Sequence, residues 1–201
     1  MKRFFLLLIA AVMLISSAGC SVSIDESKMN DTLTLFTNAL KVYDRDAMTL
    51  LVTEFPDKTE YVYLDDIFND EPYINLYRIL FSDITYEIKS CEKNRIIAEF
   101  TMPNVQQLYS TVLAEVFQMV MSNEELQAKL DEDDQNGVIL TQEMMLSLAI
   151  NGEYETMIQE FTLTFKEKED RVILVCDDQF RALITGNFFL SRNISQSDVN
   201  G

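Results

Sequence analysis

Between residues 86 and 102 the hydrophobic period changes from helical to two, and it changes again between 160 and 176. A chain that switches twice in this way builds a sheet from two separated hairpins. Tyr86, Ile88 and Ser90 alternate with Glu87, Lys89 and Cys91; Glu92-Lys93-Asn94 turns the chain; Ile96, Ala98, Phe100 and Met102 then alternate with Arg95, Ile97, Glu99 and Thr101. Successive strand residues point to opposite faces, so each set marks one side of a sheet, and a short turn between two such runs makes an antiparallel hairpin. In the second pair, Phe161, Leu163 and Phe165 alternate with Glu160, Thr162, Thr164 and Lys166, and Lys168-Glu169-Asp170 turns into Val172 to Cys176.

Helical spacing fills the rest. Met29, Leu33, Phe36, Leu40 and Tyr43 recur every three or four residues, one face of an amphipathic helix. Asp46 is the expected cap of a short helix carrying Met48, Leu51 and Phe55, stopped by Pro56, and Tyr61 to Phe68 reads as another short helix. Glu71-Pro72 opens a helix with Tyr73, Leu76, Tyr77 and Leu80 on its buried side, proline being favoured in a first turn. Between the hairpins, Asn104 is expected to cap a long helix through about Met121. Ser122 to Glu125 reads as a capping box for a helix ending near Leu130, and residues 131–137 as an acidic loop. Thr141 is the expected cap of a last helix, ended by Asn151-Gly152. Phe180 to Ile184 reads as a terminal helical turn. The expected fold is α+β: N-terminal helices packed on a curved four-stranded antiparallel sheet, in one domain over 28–190, with a helical insertion at 104–152. A tether at 20–27 precedes the domain, and 191–201 reads as a disordered tail.

The N-terminus carries an address. Lys2 and Arg3 precede twelve apolar residues, Phe4 to Ile15, too few for the roughly 20 that cross a bilayer and suited to a cleavable signal. Ser16-Ser17-Ala18-Gly19-Cys20 resembles a bacterial lipobox, in which the cysteine is lipidated and becomes the new N-terminus. Position −3 is Ser17, where such sequences usually carry Leu, Val or Ile, so the same small residues also suit an ordinary signal peptidase. The lipoprotein reading is preferred, because it accounts for the cysteine. It places the protein on the extracytoplasmic face of the cell membrane, anchored through Cys20, since two acyl chains hold where one is marginal.

Composition removes whole classes of function. Cleavage after residue 19 takes away two bases and no acid, lowering the formal charge from −17 to −19. Nucleic acid is excluded as a partner, because binding phosphates relies on Lys and Arg releasing counterions. The chain has no histidine, the side chain that titrates near neutral pH unaided, and no tryptophan. Histidine triads, histidine-ligated zinc and histidine bases are thereby excluded, and the expectation is a protein that is not an enzyme.

Helices, then Leu80 to Ile88 entering a hairpin, then Met102-Pro103-Asn104 opening a helix, then a hairpin running into Phe180-Arg181-Ala182-Leu183-Ile184-Thr185-Gly186: this order resembles uncharacterised bacterial lipoproteins with a nuclear-transport-factor-2-like, or cystatin-like, domain. The resemblance covers about residues 28–187 and implies a curved sheet wrapped as a cone around the N-terminal helices. Such domains often carry a tryptophan early in the last strand, where this chain has Arg171-Val172-Ile173, and the 104–152 insertion exceeds the minimal fold. The fold hosts enzymes, binders and interaction modules, so it implies no single activity.

The expected inward positions are Tyr86, Ile88, Ala98, Phe100, Phe161, Leu163 and Phe165. Enzymes of this fold place an Asp, Glu or His there, so a filled core is favoured over a ligand cavity. Tyr61, Tyr63, Tyr73, Tyr77 and Tyr86 either line a cone mouth or pack. Glu132, Asp134, Asn136 and Glu143 occupy positions 1, 3, 5 and 12 of a calcium loop with Gly137 at position 6; position 1 is Glu rather than Asp and position 9 is Leu140. Calcium is therefore the weaker reading beside a plain polar loop, and no cofactor is favoured. Cys91 and Cys176 are expected to be free thiols, because a meander puts the two strand ends at opposite corners, beyond the ~7 Å Cα separation of a disulfide. Val172 to Val175 is apolar on both faces and needs cover, from the insertion or from another molecule. Met119, Met121, Met144 and Met145 cluster in the insertion, as core filler or as an adaptable surface. The resulting expectation is a membrane-anchored envelope lipoprotein acting as a non-catalytic interaction or ligand-binding module for an unknown envelope protein or small ligand. The alternatives are a binder or enzyme using the cone, and a calcium-responsive module.

Overall fold

The structure, a computed structural model, describes residues 23–53 and 71–188. The signal sequence, Cys20, the segment from Tyr61 to Phe68 with Tyr61 and Tyr63, and the 191–201 tail lie outside these residues. The described elements are α1 (Glu26–Val42), α2 (Arg45–Leu51), α3 (Glu71–Leu80), β1 (Thr85–Glu92), β2 (Arg95–Pro103), α4 (Val105–Ser122), α5 (Glu124–Glu132), α6 (Asp134–Asn151), β3 (Thr156–Lys168), β4 (Arg171–Leu174) and α7 (Asp178–Ile184).

The four strands form one curved, unclosed antiparallel sheet in the order β1-β2-β3-β4, the expected pair of hairpins with the helical insertion between them. Both turns are tighter than the sequence suggested. Glu92 pairs with Arg95 and Lys168 with Arg171, so each loop has two residues. Lys93 lies at φ 52°, and Glu169 and Asp170 at 52° and 65°. Positive φ at both central residues, as at 169–170, is the type I′ geometry that matches strand twist, at a steric cost for any residue with a Cβ, and the 93–94 turn has it at Lys93 alone.

A bulge between Ile88 and Ser90 changes the expected facing of β1. Tyr86 opposes Phe100 and Ile88 opposes Ala98, but Ser90 opposes Ile97 and Cys91 opposes Ile96. One extra residue in the strand reverses the alternation. Cys91 therefore shares a face with the buried Ile96, and Ser90, grouped by alternation with Tyr86 and Ile88, is on the other side.

Helix α1 is positioned by threonines that reach both edges of the sheet. Thr32 Oγ1 donates to Val172 O in β4 at 3.0 Å, and Thr34 Oγ1 and Tyr86 OH in β1 share a hydrogen bond of 2.9 Å. The expected face of α1, Met29, Leu33, Phe36, Leu40 and Tyr43, is buried throughout. Its C-cap Tyr43, at φ 52°, ends the helix. The sheet supplies Ile96, Ala98, Phe100, Met102, Phe161, Leu163 and Phe165 to the same apolar cluster, and α7 supplies Phe180, Ala182, Leu183 and Ile184. Phe36 meets Phe180 at 5.1 Å between ring centroids and Phe100 meets Phe161 edge-on at 5.8 Å. Burial of each such ring contributes roughly 1.5–3 kcal/mol over leaving it in water.

The apolar β4 strand is buried, and its edge is closed by the segment after α2. Val52 forms a parallel bridge with Leu174, Thr53 N–H donates to Leu174 O at 2.8 Å, and Cys176 N–H donates to Thr53 Oγ1 at 2.8 Å. The N-terminal segment thus satisfies an edge that would otherwise invite another chain. The insertion instead packs α6 on α3 and α4.

Several helix starts are displaced from their expected places. Asp44, not Asp46, caps α2 by accepting from Ala47 N–H, and Asn123, not Ser122, caps α5 by accepting from Glu125 and Leu126 N–H. Asn104 caps α4 as expected, accepting from Gln107 N–H at 3.1 Å. Helix α6 begins at Asp134 rather than at Thr141, whose hydroxyl donates back to Gly137 O within the helix at 2.8 Å. Gly152, at φ 70°, follows its last residue as expected, with Glu153 N–H reaching Leu148 O.

Gly186 marks the tightest junction. It lies at φ 59°, and a Cβ there would stand 2.3 Å from Val105 Cγ2 and 3.1 Å from Pro103 O. The segment after α7 thereby sits directly on the β2–α4 corner, and Phe188 completes the contact edge-on against Tyr109 at 4.9 Å.

Candidate functional site

The interior of the sheet offers no reacting group among the described residues. The inward strand positions are aliphatic or aromatic, with Tyr86 and Ile88 half-buried at the β1 edge. The tyrosines pack. Tyr43 and Tyr77 lie 5.4 Å apart by ring centroid, Tyr77 stacks on Phe81 at 5.7 Å, and Tyr86 is tied to Thr34. Burial, reinforced by the neighbouring Tyr77, pushes Tyr43 well above the ordinary tyrosine value, so its phenol stays protonated. Tyr73 is half-buried against the same cluster.

The described thiols are a poor starting point for chemistry. Cys91 is on edge strand β1 and Cys176 follows β4, the opposite edge; both are free and partly buried. Burial raises the Cys91 thiol, with Glu26 adding to it. Burial also raises Cys176, although Arg181 works in the other direction. A nucleophilic cysteine needs the thiolate, which these surroundings disfavour. Arg181 itself was not singled out by the sequence. It is 7% exposed, with Nη1 donating to Asp178 Oδ1 at 2.8 Å and Nη2 to Cys176 O at 3.4 Å. Its signal was the i, i+3 spacing from Asp178, which a buried helix needs for a buried cation.

The calcium-loop residues do not form a loop. Glu132 is the last residue of α5, Asp133 is a single extended residue between the helices, and from Asp134 through Glu143 the backbone is helical. An oxygen cage requires a loop that folds back on itself, whereas a helix turns its side chains outward by about 100° per residue. Asn136 serves a different purpose: its side-chain amide donates to Lys129 O at 2.8 Å, closing the end of α5. Among the described residues no group of three or more His, Cys, Asp or Glu side chains is placed to hold a metal ion.

The outer surface of the insertion is the distinctive feature. In α4, Val105, Leu108, Val112 and Val116 face the core. Leu113, Phe117 and Met121 recur every fourth residue on the adjoining side and are 40%, 65% and 72% exposed. Glu115 is the only charged residue of this 18-residue helix. A surface helix normally needs an apolar stripe little wider than 100°, so α4 carries a second stripe beyond the one its own core uses. Met119, Val138, Ile139 and Ile150 are further exposed apolar residues of the insertion. The methionine cluster divides accordingly: Met145 is buried and Met144 partly so, while Met119 and Met121 face outward. The surroundings are acidic. Lys129 is the only base from 104 to 152, against eight acids, and it is occupied by Glu125 at 3.2 Å. Among the described residues no helix is long and apolar enough to cross a membrane.

No protein-family model matches the sequence, and no curated protein matches it. Among solved structures the chain is similar to the crystal structure of a candidate lipoprotein (ycdA) of Bacillus subtilis subsp. subtilis strain 168. The identity is 13% and the TM-score 0.45, over 78% of this chain and 54% of that one. The chain spans about half the length of that protein.

Proposed function

We propose that the protein is a lipid-anchored envelope module, held through Cys20, that uses the exposed apolar row of α4 to dock another envelope protein. The row Leu113-Phe117-Met121 carries this reading: large apolar side chains at one helical spacing, left in water beside the buried Val112 and Val116 of the same helix. An apolar row on an insertion with eight acids and one base fits a partner groove that is apolar inside and basic at its margin. The reading is non-catalytic and uses no cofactor, in keeping with the absence of histidine and the apolar inward strand positions. A cone-like sheet around α1, as in nuclear-transport-factor-2-like domains, serves here as a scaffold, because aromatic rings occupy the space between helix and sheet.

The test is a photoreactive side chain at position 113 in the intact envelope, compared with the same group at exposed Ile158 on the sheet. One discrete adduct at 113, absent at 158 and lost in Phe117→Ser/Met121→Ser with an unchanged melting temperature, is the expected result. Equal labelling at the two positions, or an adduct that survives the double substitution, would overturn the docking role.

A further inference from the structure

Ser23 and Ile24 sit at one end of the sheet. With Lys93, Asn94, Phe165, Lys166 and Glu167 they line a shallow depression of about 300 Å³. Ile24 is buried in the core, and Phe165 N–H donates to Asn94 O at 2.8 Å, which fixes the β1–β2 turn against β3. Cys20 is three residues before Ser23, so an acyl-bearing cysteine lies at most about 11 Å of extended chain from this end. The insertion leaves and returns at the other end of the sheet, where Asn104 N–H donates to Glu155 O at 2.9 Å. The nine residues of β2 separate the two ends by roughly 30 Å.

Charge divides along the same axis. Lys28, Lys93, Arg95, Lys166, Lys168 and Arg171 belong to the Ser23 end, and none has an ion-pair partner among the described residues. Lys89, Lys129 and Arg181, elsewhere, are paired. Asp25, Glu26, Glu92, Glu167, Glu169 and Asp170 interleave with the six cations, leaving this end balanced. The remaining described residues hold twenty acids and six bases. An anionic leaflet attracts juxtamembrane cations and repels acids within about 8 Å of its surface at physiological salt. The tether length and the charge therefore select the same end.

We infer that the end of the sheet formed by the 93–94 and 169–170 turns rests on the lipid headgroups of the anchoring bilayer, with the insertion displayed away from it. This rests on the lipid-anchored reading of Cys20. The experiment uses the full acylated chain in vesicles of phosphatidylcholine, with and without phosphatidylglycerol. A small fluorophore is introduced as an unnatural side chain at position 168 or 121, and a quencher is attached to the headgroups. Quenching at 168 should exceed that at 121 at least threefold. The ratio should rise with phosphatidylglycerol and fall in Lys93→Glu/Lys166→Glu, with all variants still floating with the vesicles. A floating chain with equal or reversed quenching overturns the membrane-facing end alone. A wild-type chain that fails to float, or a Cys20→Ala chain that floats as well as wild type, overturns the anchored reading and the orientation with it.

Discussion

The Thr32 hydroxyl donates to the carbonyl oxygen of Val172 at 3.0 Å, a buried bond joining the first described helix to the last strand across 140 residues. The same proton is shared with Lys28 O, 2.9 Å from the hydroxyl oxygen, so one side chain serves its own helix and the sheet edge. Thr32→Val keeps the shape and strands the Val172 carbonyl. A buried acceptor left unpaired costs about 1–3 kcal/mol. Urea unfolding of T32V should show a loss in that range, whereas T34V, which removes the exposed bond to Tyr86, should lose less than about 1 kcal/mol.

Gly186 and Gly152 both have positive φ, and only Gly186 is hemmed in. Gly152→Ala meets nothing within 4 Å and should cost about 1 kcal/mol, the conformational term alone. Gly186→Ala adds the collision with Val105, and overpacking of this kind costs a further 1–3 kcal/mol or so. Adding Val105→Ala to G186A should restore part of the loss, measured by thermal unfolding of the single and double variants.

The 169–170 turn holds two side-chain-bearing residues at positive φ. Glu169→Asn with Asp170→Gly supplies the pair that type I′ turns favour. The double variant should be more stable by about 0.5–1 kcal/mol, relief of left-handed strain outweighing the entropy that glycine adds to the unfolded chain. An unchanged or lowered urea midpoint would contradict the assigned turn geometry.

Alkali should destabilise the fold. Tyr43, Tyr154, Cys91 and Cys176 all have folded-state pKa values raised, each chiefly by burial. A group that holds its proton more tightly when folded contributes stability that is fully present below its unfolded pKa and is lost as pH rises toward the folded value. Unfolding free energy should accordingly decline from about pH 9, where thiols begin to ionise, and more steeply above 10, where tyrosines do. Tyr43→Phe should flatten the portion above 10 in a series of denaturant titrations.

Calcium should leave the melting temperature unchanged, because the backbone that would have to wrap the ion is already committed to helix α6. Differential scanning calorimetry of the wild type and Glu143→Ala, with calcium and with chelator, checks this. A calcium-dependent rise lost in E143A would show that residues 134–143 leave the helix to bind.

Local patterns were readable where side-chain spacing alone decides the outcome. Period two placed both hairpins, and the α1 face from Met29 to Tyr43 is the face the structure buries. The errors arise where a single residue competes with its neighbours. Asp44 and Asp46 are both competent caps, as are Ser122 and Asn123, and backbone geometry chose between them. Residues 134–137, part of the expected 131–137 loop, looked non-helical because Asp, Asn and Gly are weak helix formers. Asn136 bonding Lys129 O and the packing of α6 on α3 and α4 override that preference. The β1 bulge left no mark in the alternation, since Ser90 and Cys91 differ too little in polarity to betray the reversal. Of the exposed row on α4 the sequence marked only Met121, within the methionine cluster; only the fold separates Val112 and Val116, which are covered, from Phe117 and Met121, which are not.

The bridge from Val52 to Leu174 has a consequence for how the molecule comes into being. The piece that finishes the sheet is synthesised well before the strand it finishes. No N-terminal fragment can complete the architecture, because α1 and Val52 have nothing to close upon until residue 174 is available. Contacts so distant along the chain make folding slow and place it late. A polypeptide built this way stays threadable until that strand arrives, the condition under which it can pass through a narrow pore before it locks.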